Sequence, residues 1–412
     1  MNYFKKTLHG VSWMAAFRVT TRGIAFVRLS VLARLLDPHM FGLFGIAALV
    51  LAFLETITET GINVFLIQHE EPLEKYVDTA WVVSIIRGTL ISLLVLISAQ
   101  FVSDFFKSGA AFPMITLMAL IPFIRGFINP SSVSFQKNLE FNKEFLYRLT
   151  IFLIDTSVAV LLAFQLRSAT SLVWGLIAGA TAEVLLSHLF IHPRPHFAFE
   201  IDKIKKVVDR GKWLTLAGVM QYLFQNGDNI VVGKLLGSSS LGLYDMAYKI
   251  SILPITEVSD VFGKVTFPAY TQIQSDRPRL KIAFYKTVLG ISLLVIPIGL
   301  LLFTFSAQIV LLFLGVKWIS IVDVLKLLSI FAVIRAIYGS LGALFLAVKK
   351  QEYLTMLTLI NILGLAIPIV PLVHKYGIIG AAMAAMIGQI VAIPLAIYYL
   401  NKVFKPSHEA ID

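Results

Sequence analysis

The first long hydrophobic stretch of the chain reads Trp13-Met-Ala-Ala-Phe-Arg18-Val-Thr-Thr-Arg22-Gly-Ile-Ala-Phe-Val-Arg28-Leu-Ser-Val-Leu-Ala33. It has the length of a membrane-spanning helix, about 20 residues, yet it carries three arginines. An arginine at the bilayer centre costs about 2.5–3.5 kcal/mol, so this helix should turn its charges away from lipid. The three arginines form one broad stripe, which suits a wide polar cavity. Snorkelling, or pairing with neighbouring carboxylates, is the alternative.

The composition of the whole chain indicates a membrane protein. Of its 412 residues 58% are hydrophobic and only 14% are charged, against about 25% charged in soluble domains. We predict an all-α polytopic membrane protein in which the first span is retained and not cleaved as a signal peptide. About twelve spans are expected, near residues 11–34, 42–66, 79–103, 111–132, 146–166, 171–191, 213–236, 242–268, 284–305, 321–347, 354–373 and 378–400.

The charges of the loops predict the orientation. If the N-terminus is cytoplasmic, most loop lysines and arginines fall on the cytoplasmic side, including those of the basic loop at 192–212. Both termini are then expected to be cytoplasmic. This bias also accounts for the net charge of +11 without a nucleic-acid partner.

The chain repeats itself in sequence. Arg34-Leu-Leu-Asp-Pro-His-Met-Phe-Gly42-Leu-Phe matches Lys234-Leu-Leu-Gly-Ser-Ser-Ser-Leu-Gly242-Leu-Tyr, and Glu144-Phe-Leu-Tyr-Arg-Leu-Thr matches Glu352-Tyr-Leu-Thr-Met-Leu-Thr. Six spans separate the copies, so both halves run in the same direction. We predict two parallel six-helix bundles, residues 1–200 and 201–412, around a central cavity.

Polar residues inside the predicted spans are candidates for a transport site. Glu55 and Glu59 share one face of the second span, where pairing with arginines of the first span and ion coupling are equally plausible. Arg87 lies in the third span, and Arg125 lies in the fourth, between two prolines that could break the helix.

The second half carries its own polar residues. Gln221, Gln225 and Asp228 form one stripe on the seventh span, Glu257 follows on the eighth and Arg335 on the tenth. Asp228 and Glu257 are the better candidates for a proton or sodium site. The repeat sets Asp228 opposite Arg28, so the two halves differ in charge.

Motifs of soluble enzymes are absent from the sequence. It has no glycine-rich phosphate loop, no cysteine and no histidine spacing typical of a metal site. We therefore expect no catalytic residue, no metal and no cofactor.

Several short segments together resemble the polysaccharide transporter, or oligosaccharide flippase, family of the multidrug/oligosaccharidyl-lipid/polysaccharide exporter superfamily. They are Gly10-Val-Ser-Trp13, Leu-Ala-Arg34-Leu-Leu-Asp-Pro-His-Met-Phe-Gly42-Leu-Phe-Gly45, Gly227-Asp-Asn-Ile-Val-Val-Gly233-Lys-Leu-Leu-Gly237, Leu241-Gly-Leu-Tyr244, Phe267-Pro-Ala-Tyr270 and Tyr376-Gly-Ile-Ile-Gly380-Ala-Ala. Many members have fourteen spans, whereas twelve are expected here.

The resemblance implies a flippase of the bacterial inner membrane. It would move undecaprenyl-diphosphate-linked oligosaccharide between leaflets by alternating access, for the synthesis of O-antigen, capsule or exopolysaccharide. Its expected partners are membrane lipids and other polysaccharide-assembly proteins. Arginine suits a diphosphate because its planar guanidinium donates two parallel hydrogen bonds. On this basis Arg18, Arg22, Arg87 and Arg125 are predicted to bind the diphosphate, with Arg28 in the cavity beside them. A drug/cation antiporter and an integral membrane glycan polymerase or ligase are the rival functions.

Overall fold

A computed structural model describes residues 20–59, 61–62, 66–67, 71–198 and 211–405, and for 211–217 only the backbone. Every regular element in these ranges is helical, which confirms the predicted all-α class. The principal helices are α1 (20–35), α2 (Pro38–Ile57), α3 (Val77–Phe105), α4 (Ala111–Gly126), α5 (Pro130–Lys137), α6 (Phe141–Leu166), α7 (Thr170–Phe190), α8 (Gly211–Gln272), α9 (Arg277–Thr304), α10 (Val322–Ala347), α11 (Gln351–Tyr376) and α12 (Ile378–Phe404). Short helical turns precede α3 and join α9 to α10.

Length and hydropathy identify membrane-crossing helices among the described residues. Seven helices pass on their own, and an eighth span is formed if α4 and α5 are counted together. The other predicted spans fall in α1, in α10 and in the 62-residue α8, which holds the seventh and the eighth. The chain is thus a multi-pass membrane protein.

The contacts divide the chain into two compact units, Met1–Tyr222 and Leu223–Asp412. The predicted boundary at residue 200 lies outside the described residues and stays a prediction. Each unit has its own buried core, with Leu36 and Ile46 in the first and Trp318 and Phe345 in the second.

Helix ends follow local sequence signals. Asp37 precedes α2, and its Oδ1 accepts a hydrogen bond of 3.0 Å from the Met40 amide while Pro38 occupies the first helical turn. Asp276 caps α9 in the same way through the Arg279 amide.

The fourth predicted span is bent. α4 and α5 meet at 73° across Phe127-Ile128-Asn129, because Pro130 cannot donate an amide hydrogen bond and disfavours a helical residue before it. The fully buried Asn129 holds the bend. Its Nδ2 donates to the carbonyls of Ile191 and Pro193 at 3.2 and 3.1 Å. The helix break expected between the two prolines is therefore present.

The backbone repeats as the sequence does. The non-glycine residues Lys107, Leu139 and Arg167 have left-handed φ angles of 51°, 58° and 44°. Their counterparts 208, 210 and 210 residues later are Gly315, Lys349 and Gly377, with φ of 92°, 58° and 59°. Likewise, the helix break at Asp37 is matched after 200 residues by Gly237, which kinks α8 at φ 83°. Each unit thus bends at equivalent positions.

Candidate functional site

A glycine contact between α3 and α4 brings two predicted arginines together. A Cβ on Gly88 would collide with the Pro122 carbonyl, and one on Gly126 would lie 3.2 Å from the Ile85 Cα, so these helices cross with their backbones almost touching. Arg87 and Arg125 directly precede these two glycines. Both arginines therefore line the same cavity, of about 590 Å³, within the first unit.

Arg87 forms most of its hydrogen bonds with the end of α2. Its Nε donates to the Thr58 carbonyl and its Nη2 to the Glu55 carbonyl, both at 2.8 Å, and Nη2 also pairs with Glu59 at 3.2 Å. These carbonyls lie at the C-terminal end of α2, where backbone acceptors lack amide partners and the helix dipole favours a cation. Arg87 thus stabilises the wall of the cavity.

Arg125 is held much more loosely. Its Nη1 lies 3.7 Å from Glu55 Oε1, and 43% of its side chain is exposed. It donates no hydrogen bond to any residue in the described ranges, although a guanidinium carries five N–H donors. Among the described residues Glu55 therefore pairs with Arg125, and Glu59 pairs with Arg87. Pairing of either carboxylate with arginines of the first span stays a prediction, because Arg18 lies outside the described residues.

A second cavity, of about 490 Å³, adjoins the first. Arg125, Gln136, Arg148 and Glu183 line both cavities and so form a shared wall. Only the Nε of Arg148 is engaged, at 2.8 Å from Glu144 Oε1. Its terminal nitrogens donate no hydrogen bond to any described residue.

Glu144 positions the shared wall from behind. It is 6% exposed, and its Oε1 also accepts a hydrogen bond of 2.7 Å from Gln136 Nε2. Arg148 was not among the predicted site residues, since it lies only two residues after the predicted start of the fifth span at 146, whereas α6 begins at Phe141. The four-residue spacing of Glu144 and Arg148 was the available signal.

Glu183 reaches the shared wall from α7 and was not predicted as a site residue. It is half-buried, and within the described ranges its carboxylate accepts no hydrogen bond. A carboxylate that lines a cavity and has no hydrogen-bond donor in the protein can accept hydrogen bonds from the hydroxyl groups of a ligand.

Arg28 is bound in an ion pair with a carboxylate that itself lines the second cavity. Its Nη1 and Nη2 lie 2.6 and 3.0 Å from the two oxygens of Asp155 on α6, and the two side chains are 15% and 12% exposed. Gly175 and Gly179 of α7 make room for Asp155, since a Cβ on Gly175 would lie 2.7 Å from its Oδ1. For Arg28 the alternative of pairing with a carboxylate is realised.

The other arginines of the first span are less informative. Arg22 is exposed on α1 and has an interaction within the chain. Arg18 lies outside the described residues.

The second unit holds a separate polar cluster. Asp228 is 3% exposed and accepts a hydrogen bond of 2.8 Å from the Tyr244 hydroxyl, which lies beyond the α8 kink. Arg335 donates to the Tyr248 hydroxyl at 2.6 Å, and its guanidinium lies 5.1 Å from the centre of the Phe224 ring. The polar groups of this cluster thus form two hydrogen-bonded pairs, a buried one and a half-buried one.

The predicted stripe on the seventh span is not continuous in the structure. Gln221 and Gln225 are exposed, whereas Asp228 is buried, because the helix turns its third polar residue into the core of the second unit. Glu257 is half-buried on α8 and has an interaction within the chain.

Comparison with known sequences identifies related proteins. Residues 31–323 match a family model described as polysaccharide biosynthesis protein. The lipopolysaccharide biosynthesis protein WzxC of Escherichia coli (strain K12) is 26% identical over 98% of this chain and 82% of its own length. The succinoglycan biosynthesis transport protein ExoT of Rhizobium meliloti (strain 1021) is 24% identical over 79% of this chain and 66% of its own length.

Comparison with solved structures supports the predicted fold. The lipid II flippase MurJ in an inward closed conformation aligns with a TM-score of 0.71 and 18% identity, over 95% of this chain and 88% of its own. An inward-facing multidrug resistance MATE family transporter of the MOP superfamily also gives 0.71, with 15% identity over 93% and 95%. The TM-scores show a shared fold, and that fold is common to a flippase and to a drug transporter.

Proposed function

The chain belongs to the polysaccharide biosynthesis protein family, and on that premise we propose that it is a flippase for a lipid-linked oligosaccharide. Relatives named as biosynthesis and transport proteins support a transporter and not an enzyme. The carrier lipid is undecaprenyl diphosphate, and the glycan serves O-antigen, capsule or exopolysaccharide. The protein lies in the bacterial inner membrane with both termini cytoplasmic, and works with other polysaccharide-assembly proteins. Its two bundles, residues 1–200 and 201–412, alternate access to the two leaflets.

The main observation behind this proposal is that two arginines of the shared wall have N–H donors without hydrogen-bond partners among the described residues. Arg125 keeps all five N–H donors for a ligand, and Arg148 keeps the four on its terminal nitrogens. Each guanidinium has a carboxylate neighbour, but N–H donors that lack a hydrogen-bond partner inside a membrane protein favour an anionic ligand. A diphosphate has enough oxygens to engage both guanidinium groups at once.

The number of N–H donors without a partner also distinguishes among the arginines that were predicted to bind the diphosphate or to line its cavity. Arg87 donates hydrogen bonds from its Nε and Nη2 to carbonyls at the end of α2, so its role is to stabilise the cavity wall. Arg28 is satisfied by Asp155, so it too is structural. The diphosphate site is therefore centred on Arg125 and Arg148, with Arg18 and Arg22 as additional contacts.

The depth of these residues suits loading from the cytoplasm. Arg148 lies seven residues after the start of α6, and Arg87 ten residues after the start of α3. At 1.5 Å per residue both lie about 10–15 Å from the same end of their unit. In the proposed orientation this is the cytoplasmic end, where lipid-linked sugars are assembled.

A drug/cation antiporter remains the second candidate, for two reasons. The multidrug transporter aligns as well as the flippase does, and Glu55, Glu59 and Glu183 give the larger cavity three carboxylates beside its three arginines. The two functions predict ligands of opposite charge, so direct binding measurements distinguish between them.

Translocation in proteoliposomes tests the proposal. The protein is reconstituted with a fluorescent short-chain prenyl-diphosphate glycan, and the fraction that reaches the outer leaflet is measured with a membrane-impermeant quencher. Arg125→Ala and Arg148→Ala should each slow translocation by about 10-fold or more, since a charge-assisted hydrogen bond is worth about 1.5–3 kcal/mol. Arg167→Ala, an exposed cation at the opposite end of α6, is the matched control. Unchanged rates in both cavity variants, or transport of an organic cation instead, would refute it.

A further inference from the structure

The cavity of about 490 Å³ has features that a diphosphate does not explain. Its volume lies within the range of about 300–1,000 Å³ that small-molecule sites occupy. Phe141, Phe145 and Phe152 line it along α6, and Glu183 and Gln136 supply acceptor oxygens. Aromatic faces with a few acceptors suit a ring that is apolar on its faces and carries hydroxyls on its rim.

Glu183 is the residue that decides the ligand. It shares its wall with Arg125 and Arg148, so a bound diphosphate would come close to this carboxylate and be repelled by it. The carboxylate accepts no hydrogen bond from any residue of the described ranges. A ligand that places hydroxyl groups between its diphosphate and Glu183 would separate the two negative charges. The same hydroxyl groups would donate hydrogen bonds to the carboxylate.

We propose that this cavity is a subsite for the first sugar of the lipid-linked glycan, with Glu183 accepting hydrogen bonds from its hydroxyls and Phe152 packing against its ring. The inference rests on the proposed function, because Arg125 and Arg148 must hold the diphosphate for the attached sugar to enter. Glu144 acts as a positioning residue, since it orients both Gln136 and Arg148. Selection of the first sugar then takes place in the first unit.

Binding of matched probes tests the subsite. The full chain, in phosphatidylcholine nanodiscs, is titrated with farnesyl diphosphate esters of equal charge that end in methyl, glucose, galactose or N-acetylglucosamine. At least one sugar ester should bind about 10-fold more tightly than the methyl ester, the gain expected from hydrogen bonds to a charged acceptor. Glu183→Gln should abolish that gain, while the methyl ester binds equally well or more tightly because a repelling charge is gone.

Two further variants keep the test decisive. Glu140→Gln removes a carboxylate that pairs with Lys143 just before α6, and it should leave the sugar gain unchanged. Phe152→Ala should reduce the gain without affecting the methyl ester, which supplies the test if Glu183→Gln fails to fold. Equal binding of all four esters to the unmodified protein would overturn the sugar subsite and leave the diphosphate site standing. No binding of any ester would overturn the proposed function itself.

Discussion

The ion pair between Arg28 and Asp155 offers a test of what a membrane arginine is for. Arg28→Met alone leaves a carboxylate buried without its partner, and Asp155→Leu alone leaves a guanidinium in that state. Removing one member of a buried pair costs about 3–5 kcal/mol, against about 0–1 kcal/mol for an exposed pair. With side chains 15% and 12% exposed and two hydrogen bonds of 2.6 and 3.0 Å, about 3 kcal/mol is expected for each single change.

The double variant Arg28→Met/Asp155→Leu should behave differently from the sum of its parts. It removes both charges and fills the space with apolar groups, an exchange that is often neutral or stabilising for a buried pair. Thermal unfolding of the four proteins in one detergent measures this. Each single variant should lose about 6–12 °C in midpoint, at about 2–4 °C per kcal/mol for a unit of this size, and the double variant should recover most of the loss.

Two results would refute the reasoning in different ways. Additive losses in the double variant would mean that the two side chains do not interact in the folded protein. Recovered stability with abolished translocation would mean that the pair has a role in transport, consistent with the predicted place of Arg28 in the cavity, and is not only structural. Recovered stability with retained translocation is the expected outcome.

Three further changes test other features. Gly88→Ala should lower the unfolding midpoint by several degrees because the new Cβ meets a backbone carbonyl, whereas Gly109→Ala, with nothing within 4 Å, should not; equal midpoints would contradict the close helix crossing. Arg87→Lys should slow translocation although charge is kept, because one ammonium cannot replace two guanidinium bonds to the end of α2; full activity would contradict its structural role. Tyr248→Phe should cost about 1.5–3 kcal/mol of stability, since it removes the 2.6 Å hydrogen bond from Arg335, and an unchanged midpoint in thermal unfolding would show the bond to be dispensable.

Much of the fold could be predicted from the sequence. Apolar runs of membrane length mark most of the helices, and Asp37-Pro38 and Asn129-Pro130 mark two of the breaks by capping and by loss of an amide donor. These signals are local, because each depends only on residues a few positions away. The doubled sequence motifs likewise predicted the repeat that the left-handed backbone positions confirm.

The site was only partly predictable because its chemistry depends on long-range pairing. Arg125 and Glu55 were both candidates, but a partner 70 residues away has no periodic signature. Asp155 was missed because a lone acid in an apolar run gives no hint of which arginine it meets. Asp228 finds Tyr244 only because α8 kinks between them.

The matched left-handed positions bear on how such a protein changes over evolution. The two halves share their bends, at Lys107 and Gly315 and at Arg167 and Gly377, while most residues between these positions differ. The motif that opens with Glu144 aligns Arg148 with a methionine and, continued seven residues further, Asp155 with a leucine in the later copy. Backbone geometry therefore acts as the inherited scaffold, and charge as the trait that each copy was free to gain or lose.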